Sequence, residues 1–130
     1  RLERLLRGRR DDRAKVLKAW LVWKQGQPLR ALARLRRPRK TQHQDQFAVE
    51  LQGAALLNLS RWSEALTLLQ VTLKATRRAR YGALFNLGVA AIKTGDLPLA
   101  RSAFQRAHTI CRSCPGAKAN LERLVPNSRR

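Results

Sequence analysis

The sequence predicts an all-α fold of stacked helix pairs, and three observations carry that expectation. Apolar residues make up 44% of the chain and aromatic residues 5%, a balance suited to packed helices and thin for a sandwich or barrel of aromatic and β-branched strands. The length, 130 residues, fits one domain, since domains usually run about 100 to 150 residues. Three stretches also align without a gap: residues 24–31, 58–65 and 93–100. Each has a turn residue (Gly26, Ser60, Gly95) five positions before an alanine (Ala31, Ala65, Ala100), and these alanines are spaced by 34 and then 35 residues. A fixed spacing of this size marks a repeat architecture.

Each aligned stretch follows one amphipathic run and precedes another, so the repeated unit is helix, tight turn, helix. Gly26, Ser60 and Gly95 stand where the first helix must stop with a left-handed or capping residue. Pro28 and Pro98 follow, in the first turn of the next helix, where a missing N–H loses no partner. The alanine of each second helix is steric: a methyl there lets the two helices approach, and a larger side chain would hold them apart.

These residues resemble the tetratricopeptide repeat (TPR) family, whose repeat of about 34 residues has a small residue early in its first helix and an alanine early in its second. The third repeat carries the resemblance most fully, with Leu84, Leu87 and Gly88 on first-helix positions and Ala100, Phe104 and Ala107 on second-helix positions. The second keeps Gly53, Ala65, Leu69 and an aromatic Trp62 at the turn, but has Gln52 and Thr72 where Leu and Ala are usual. The first keeps Ala19, Gly26, Ala31 and Leu35, places Lys18 on a usually apolar position, and has Pro38 where its second helix should continue, which predicts a short helix. The resemblance spans residues 13–125 and implies a right-handed α-solenoid of about three TPR-like helix-turn-helix repeats with a C-terminal capping helix.

The expected organisation is a basic leading helix or arm over 1–10, where Leu2, Leu5 and Leu6 lie amid five arginines. A divergent first repeat follows over 11–37, then a linker over 38–45, a second repeat over 46–79 and a third over 80–114. A capping helix and basic tail over 115–130 cover the apolar edge of the last repeat, opening with Pro115 and presenting Leu121 and Leu124.

Lys and Arg number 28 against 8 acids, for a net charge of +20. Residues 1–40 hold 15 of the basic residues and 3 of the acids, net +12, leaving 13 and 5, net +8, for the remainder. Such an excess attracts polyanions or acidic proteins without selecting among them. No run approaches the roughly 18 to 20 apolar residues of a bilayer span, the longest being 81–92. The chain opens at Arg1 and has no Met, which predicts a processed product or part of a longer polypeptide. No compartment is fixed by these residues, with the cytoplasm favoured.

The inventory for catalysis is poor: two histidines, one tyrosine, eight dispersed carboxylates and no glycine-rich loop. The expectation is a non-enzyme without cofactor or metal. His108, Cys111 and Cys114 form the one metal-like spacing, lacking a fourth ligand unless His43 folds back. A single C-x-x-C leaves redox, metal-binding and incidental roles open, including a free or paired thiol in the turn 113–116.

In this fold the first helices line a concave groove that receives a peptide or a partner helix. The family register implies a lining of Leu17, Trp20, Trp23 and Lys24 from the first repeat and Phe47, Leu51, Leu57 and Asn58 from the second. Phe85, Asn86, Val89 and Lys93 complete it from the third. Trp20 and Trp23 present one broad apolar surface, which serves a ligand or else buries under the leading segment. Lys24, Lys93, Asn58 and Asn86 are placed to hold a carboxylate or backbone of an extended ligand. Family members that grip the acidic C-terminal tail of a chaperone use a clamp of Lys, Asn and Arg. The corresponding positions here are Val16, Trp20, Leu51, Gly82 and Asn86, so that clamp is absent and an apolar segment flanked by acids fits better.

The leading expectation is therefore an adaptor or scaffold that binds a protein segment within a larger assembly, with a basic surface contacting an anionic partner. The alternative is an RNA- or DNA-binding helical repeat in which Arg4, Arg7, Arg9, Arg10, Arg34, Arg36, Arg37, Arg39 and Lys40 hold phosphates and Trp20 or Trp23 stacks on bases. The base-reading pair of nucleotide-reading repeats does not recur, since its positions hold Leu17, Leu51 and Asn86. A third reading, contact with an anionic membrane through the leading segment, has only about two helical turns to work with.

Overall fold

A computed structural model of the chain describes residues 12–35 and 46–124. Among them are seven helices and no strand: α1 (Asp12–Lys24), α2 (Pro28–Leu35), α3 (Gln46–Asn58), α4 (Trp62–Lys74), α5 (Tyr81–Thr94), α6 (Leu97–Ile110) and α7 (Pro115–Leu124). The leading segment 1–10, the linker 38–45 and the tail from 125 lie outside the described residues. None of the described helices is long and apolar enough to cross a membrane.

The three pairs α1/α2, α3/α4 and α5/α6 are joined by one turn used three times. Gly26, Ser60 and Gly95 have φ of 79°, 60° and 86°, the left-handed conformation that ends a helix without breaking the chain's hydrogen bonding. In each turn two N–H groups reach back to the preceding helix. Gly26, Ser60 and Gly95 bond the carbonyls of Trp23, Leu57 and Ile92 at 2.9, 3.1 and 3.1 Å, and the residue after each bonds Val22, Leu56 and Ala91 at 3.2, 2.8 and 2.8 Å. Pro28 opens α2 and Pro98 is the second residue of α6. Ahead of α6, the Asp96 carboxylate caps the helix by accepting from the Leu99 N–H at 3.1 Å.

Ser60 is the one non-glycine of the three turns and bears the steric penalty of its Cβ there. Ser60→Gly is expected to raise stability by about 0.5 kcal/mol, the relief of strain exceeding the entropy added to the unfolded chain. A lower melting temperature for this variant would contradict that balance.

Packing follows the same period. Each second helix lies against its own first helix and the first helix of the next pair, and α3 also packs against both α1 and α5. Ala31, Ala65 and Ala100 are each 0% exposed, as close helix approach requires. One turn further along, a missing side chain on the first helix receives a large one from the second. A Cβ on Gly53 would lie 2.9 Å from Leu69 Cδ1, and one on Gly88 would lie 2.5 Å from Phe104 Cζ. The first pair has Ala19, fully buried, and the half-buried Leu35 in that register. Gln52 departs from the family's usual Leu and makes a contact that Leu could not. Its side-chain N–H donates to the Leu35 carbonyl at 3.1 Å, satisfying the end of the eight-residue α2.

The main core gathers Val49, Leu69, Leu73, Leu84, Leu87 and Phe104. Helix α7 packs on α6, where a fourth pair would continue the stack, and closes this core with the fully buried Ala117 and the partly buried Leu121 and Leu124.

Candidate functional site

The three first helices contribute twelve residues to the expected binding face, and the structure sorts them into groups. On α1, Leu17, Trp20 and Trp23 are half-buried, each with part of its apolar surface in solvent, and the exposed Lys24 ammonium lies 5.7 Å from the Trp20 ring centroid. Trp23 extends to the neighbouring pair, where its indole N–H donates to Asn58 Oδ1 at 2.7 Å. On α3, Phe47 and Leu57 are half-buried, and the Arg80 guanidinium lies 5.3 Å from the Phe47 ring. Cations over ring faces in this way leave an aromatic surface flanked by positive charge.

Two members of the set are placed differently. Leu51 is 3% exposed and belongs to the interior of α3, because it falls on the side of the helix turned toward the core. Phe85 stacks with Tyr81 at 6.1 Å, meets Phe104 edge-on at 5.5 Å and is covered by the start of α7, where a Cβ on Gly116 would lie 2.8 Å from its ring. Part of its aromatic surface thus faces the capping helix, and the residue is half-buried overall. Val89, partly buried, packs against the main core.

The four polar residues also have partners within the chain. The Asn86 side-chain N–H donates to the Glu50 carbonyl at 3.0 Å, tying α5 to α3, as Asn58 ties α3 to Trp23. Lys93 sits 5.1 Å from the ring centroid of Trp62, the aromatic turn residue of the second pair. Asn58, Asn86 and Lys93 thus link neighbouring helices of the stack, while Lys24 contacts Trp20 within α1.

A polar clasp that sequence reasoning missed joins α3 to the start of α5. Glu50 Oε1 accepts from Arg80 Nε at 2.7 Å, and its other carboxylate oxygen occupies the space a side chain on Gly82 would need. The carboxylate therefore lies against the first turn of α5, where a helix favours negative charge. Gln46 completes the clasp: its amide N–H donates to the Arg78 carbonyl at 2.8 Å and its oxygen accepts from the Arg80 backbone N–H, standing in for a side-chain cap that Arg80 does not supply. The signal available beforehand was the scarcity of acids and the glycine at position 82; the 30-residue separation of Glu50 and Arg80 hid the pairing.

Of the anion-binding set, Arg4, Arg7, Arg9, Arg10, Arg36, Arg37, Arg39 and Lys40 lie outside the described residues, while Arg34 is exposed in the last turn of α2. At the other end, Cys111 and Cys114 are joined as a disulfide. Both sulfurs are thereby bonded to each other, the paired form of the turn thiols. No group of three or more His, Cys, Asp or Glu able to hold a metal occurs among the described residues.

Helix pairs repeated every 34 or 35 residues, with a left-handed turn and a buried alanine in each, define a helical-repeat protein. A family model described as tetratricopeptide repeat matches residues 50–118. The chain belongs to the tetratricopeptide repeat family. A second model, described as anaphase-promoting complex, cyclosome, subunit 3, matches residues 1–72. A comparison with curated proteins finds no match. Repeats of this class are in general non-catalytic scaffolds for protein–protein interaction and complex assembly.

Proposed function

We propose that this chain is an adaptor that holds a protein segment along the face formed by α1 and α3 inside a multi-subunit assembly, without chemistry of its own. The observation that carries this reading is the group of half-exposed apolar side chains Leu17, Trp20 and Trp23 on α1, with Phe47 on α3 and cations over two of the rings. A half-wet tryptophan is costly to leave in water and is well suited to anchor a partner, and a paired indole on a rigid helix loses little entropy when it does so. The occupant fitted to this surface is an apolar segment flanked by acidic residues, since Lys24 and a chain charge of +20 favour negative neighbours. The match of residues 1–72 to a subunit of a large complex supports a place in an assembly.

The basic residues concentrated in 1–40 provide a second contact, with an acidic part of the same assembly. The test is affinity purification of the tagged chain at about 0.15 M salt, split into nuclease-treated and untreated halves and washed at rising salt. The adaptor reading expects one defined set of proteins to persist through both treatments. Recovery of nucleic acid alone, lost as salt rises, would contradict it and establish phosphate binding instead.

A further inference from the structure

Both cysteines of the chain sit in the turn between α6 and α7, and that placement gives them leverage over the last helix. The Cys111 N–H still bonds the Ala107 carbonyl of α6 at 3.0 Å, while Cys114 immediately precedes Pro115, the first residue of α7. Their Cα atoms are 5.4 Å apart, the sulfurs are bonded, and both residues are half-buried.

Helix α7 has little else to hold it. It is ten residues long, and isolated helices of that length are marginal in water. Ala117 is its one fully buried residue, with Leu121 and Leu124 partly covered. Among the described residues, two side-chain bonds fasten it: the Ala117 N–H donates to Tyr81 Oη at 3.0 Å, and Arg101 Nη2 donates to the Leu124 carbonyl at 3.2 Å. The first of these, and the contact of Gly116 with Phe85, lie within three residues of Cys114. A covalent link at Cys114 therefore sets the position of α7 just where it docks.

We propose that the Cys111–Cys114 bond is a reversible thiol–disulfide site whose state sets how firmly α7 covers the third repeat. A small-molecule thiolate attacks one sulfur, forming a mixed disulfide and expelling the other sulfur as thiolate, which takes a proton from water. A second thiolate then attacks the mixed disulfide, giving the external disulfide and the second protein thiolate. The net change is two external thiols oxidised to one disulfide and one protein disulfide reduced to two thiols, a two-electron exchange. Departure of the Cys114 sulfur as thiolate is favoured by its place at the positive end of α7, whose first turn carries no acid. In the reduced state the turn loses its cross-link, and α7 opens to expose the apolar surface of Phe85 and the edge of the core beneath it.

The experiment uses the full chain equilibrated in glutathione buffers of graded potential, with iodoacetamide labelling and hydrogen exchange both read by mass spectrometry. The expected result is that both cysteines become labelled while the protein stays folded. The amides of α7 then exchange about tenfold faster, the scale expected for removing a short covalent loop, while those of α5 and α6 are unchanged. Glutathione disulfide should restore the slow exchange, and the double variant Cys111→Ser with Cys114→Ser should show fast α7 exchange in every buffer. Cysteines that resist labelling until the whole chain unfolds would overturn the proposal. So would α7 exchange that is the same in both states, or a rise spread evenly over all helices.

Discussion

Phe104→Ala is expected to lower the stability of the chain by about 4 kcal/mol, within the range for truncating a buried phenylalanine. Phe104 is the largest fully buried side chain described, and its ring fills the space left by Gly88 while meeting Phe85 edge-on. Domains of this size are stable by only about 5 to 15 kcal/mol, so this one truncation removes a large fraction of the total. The complementary change tests the fit from the other side. Gly88→Ala drives a methyl to within 2.5 Å of the ring and is expected to cost about 2 kcal/mol by overpacking. In a Phe104→Leu background the same methyl has more room, so its cost should fall by half or more. Urea unfolding of the four proteins measures the coupling directly. Additive costs would show that Gly88 and Phe104 do not constrain each other.

The second large effect concerns binding. Trp20→Ala with Trp23→Ala is expected to weaken the protein partner by at least about 100-fold, about 3 kcal/mol, as befits loss of two aromatic anchors. Binding to a polyanion such as heparin should be spared. Reversing the charges at Arg36, Arg37 and Arg39 should do the opposite, weakening polyanion binding while leaving the aromatic contact in place. Trp23→Phe separates two roles of one side chain, because it keeps an aromatic ring and removes the bond to Asn58. That variant should bind within a few-fold of the parent if apolar contact dominates. If both sets of substitutions damage one ligand equally, the two-surface account fails.

What could be read from the sequence and what could not divide along physical lines. The repeat was legible because its determinants are local and steric. Gly26, Ser60 and Gly95 mark left-handed turns, Pro28 and Pro98 suit a first helical turn, and Ala31, Ala65 and Ala100 mark close helix approach, and each takes the expected position, Ser60 at a steric cost. The polar side chains were not legible in the same way. Asn58 and Asn86 have the chemistry to receive a ligand, yet they bond Trp23 and the Glu50 carbonyl, partners 35 and 36 residues distant. The clasp of Glu50, Arg80 and Gln46 was missed for that reason, since nothing in the spacing of the three indicates which will meet. Phe85 shows a further limit: its register puts it on the binding face, but the capping helix, whose exact seat no pattern in residues 115–125 specifies, packs against part of its ring. The bond between Cys111 and Cys114 likewise depends on a turn that brings their Cα atoms to 5.4 Å.

Recognition of a protein through apolar contact on α1 and α3 is tested most directly by one dissociation constant. It is that of the purified partner, or of the segment of it protected by this chain, measured from about 0.05 to 0.5 M salt for the parent and for the Trp20→Ala, Trp23→Ala variant. The adaptor account predicts a shallow salt dependence for the parent and a large, salt-independent loss of affinity in the variant. A steep dependence on salt together with an unchanged affinity in the variant would contradict it, placing recognition on the basic surface alone.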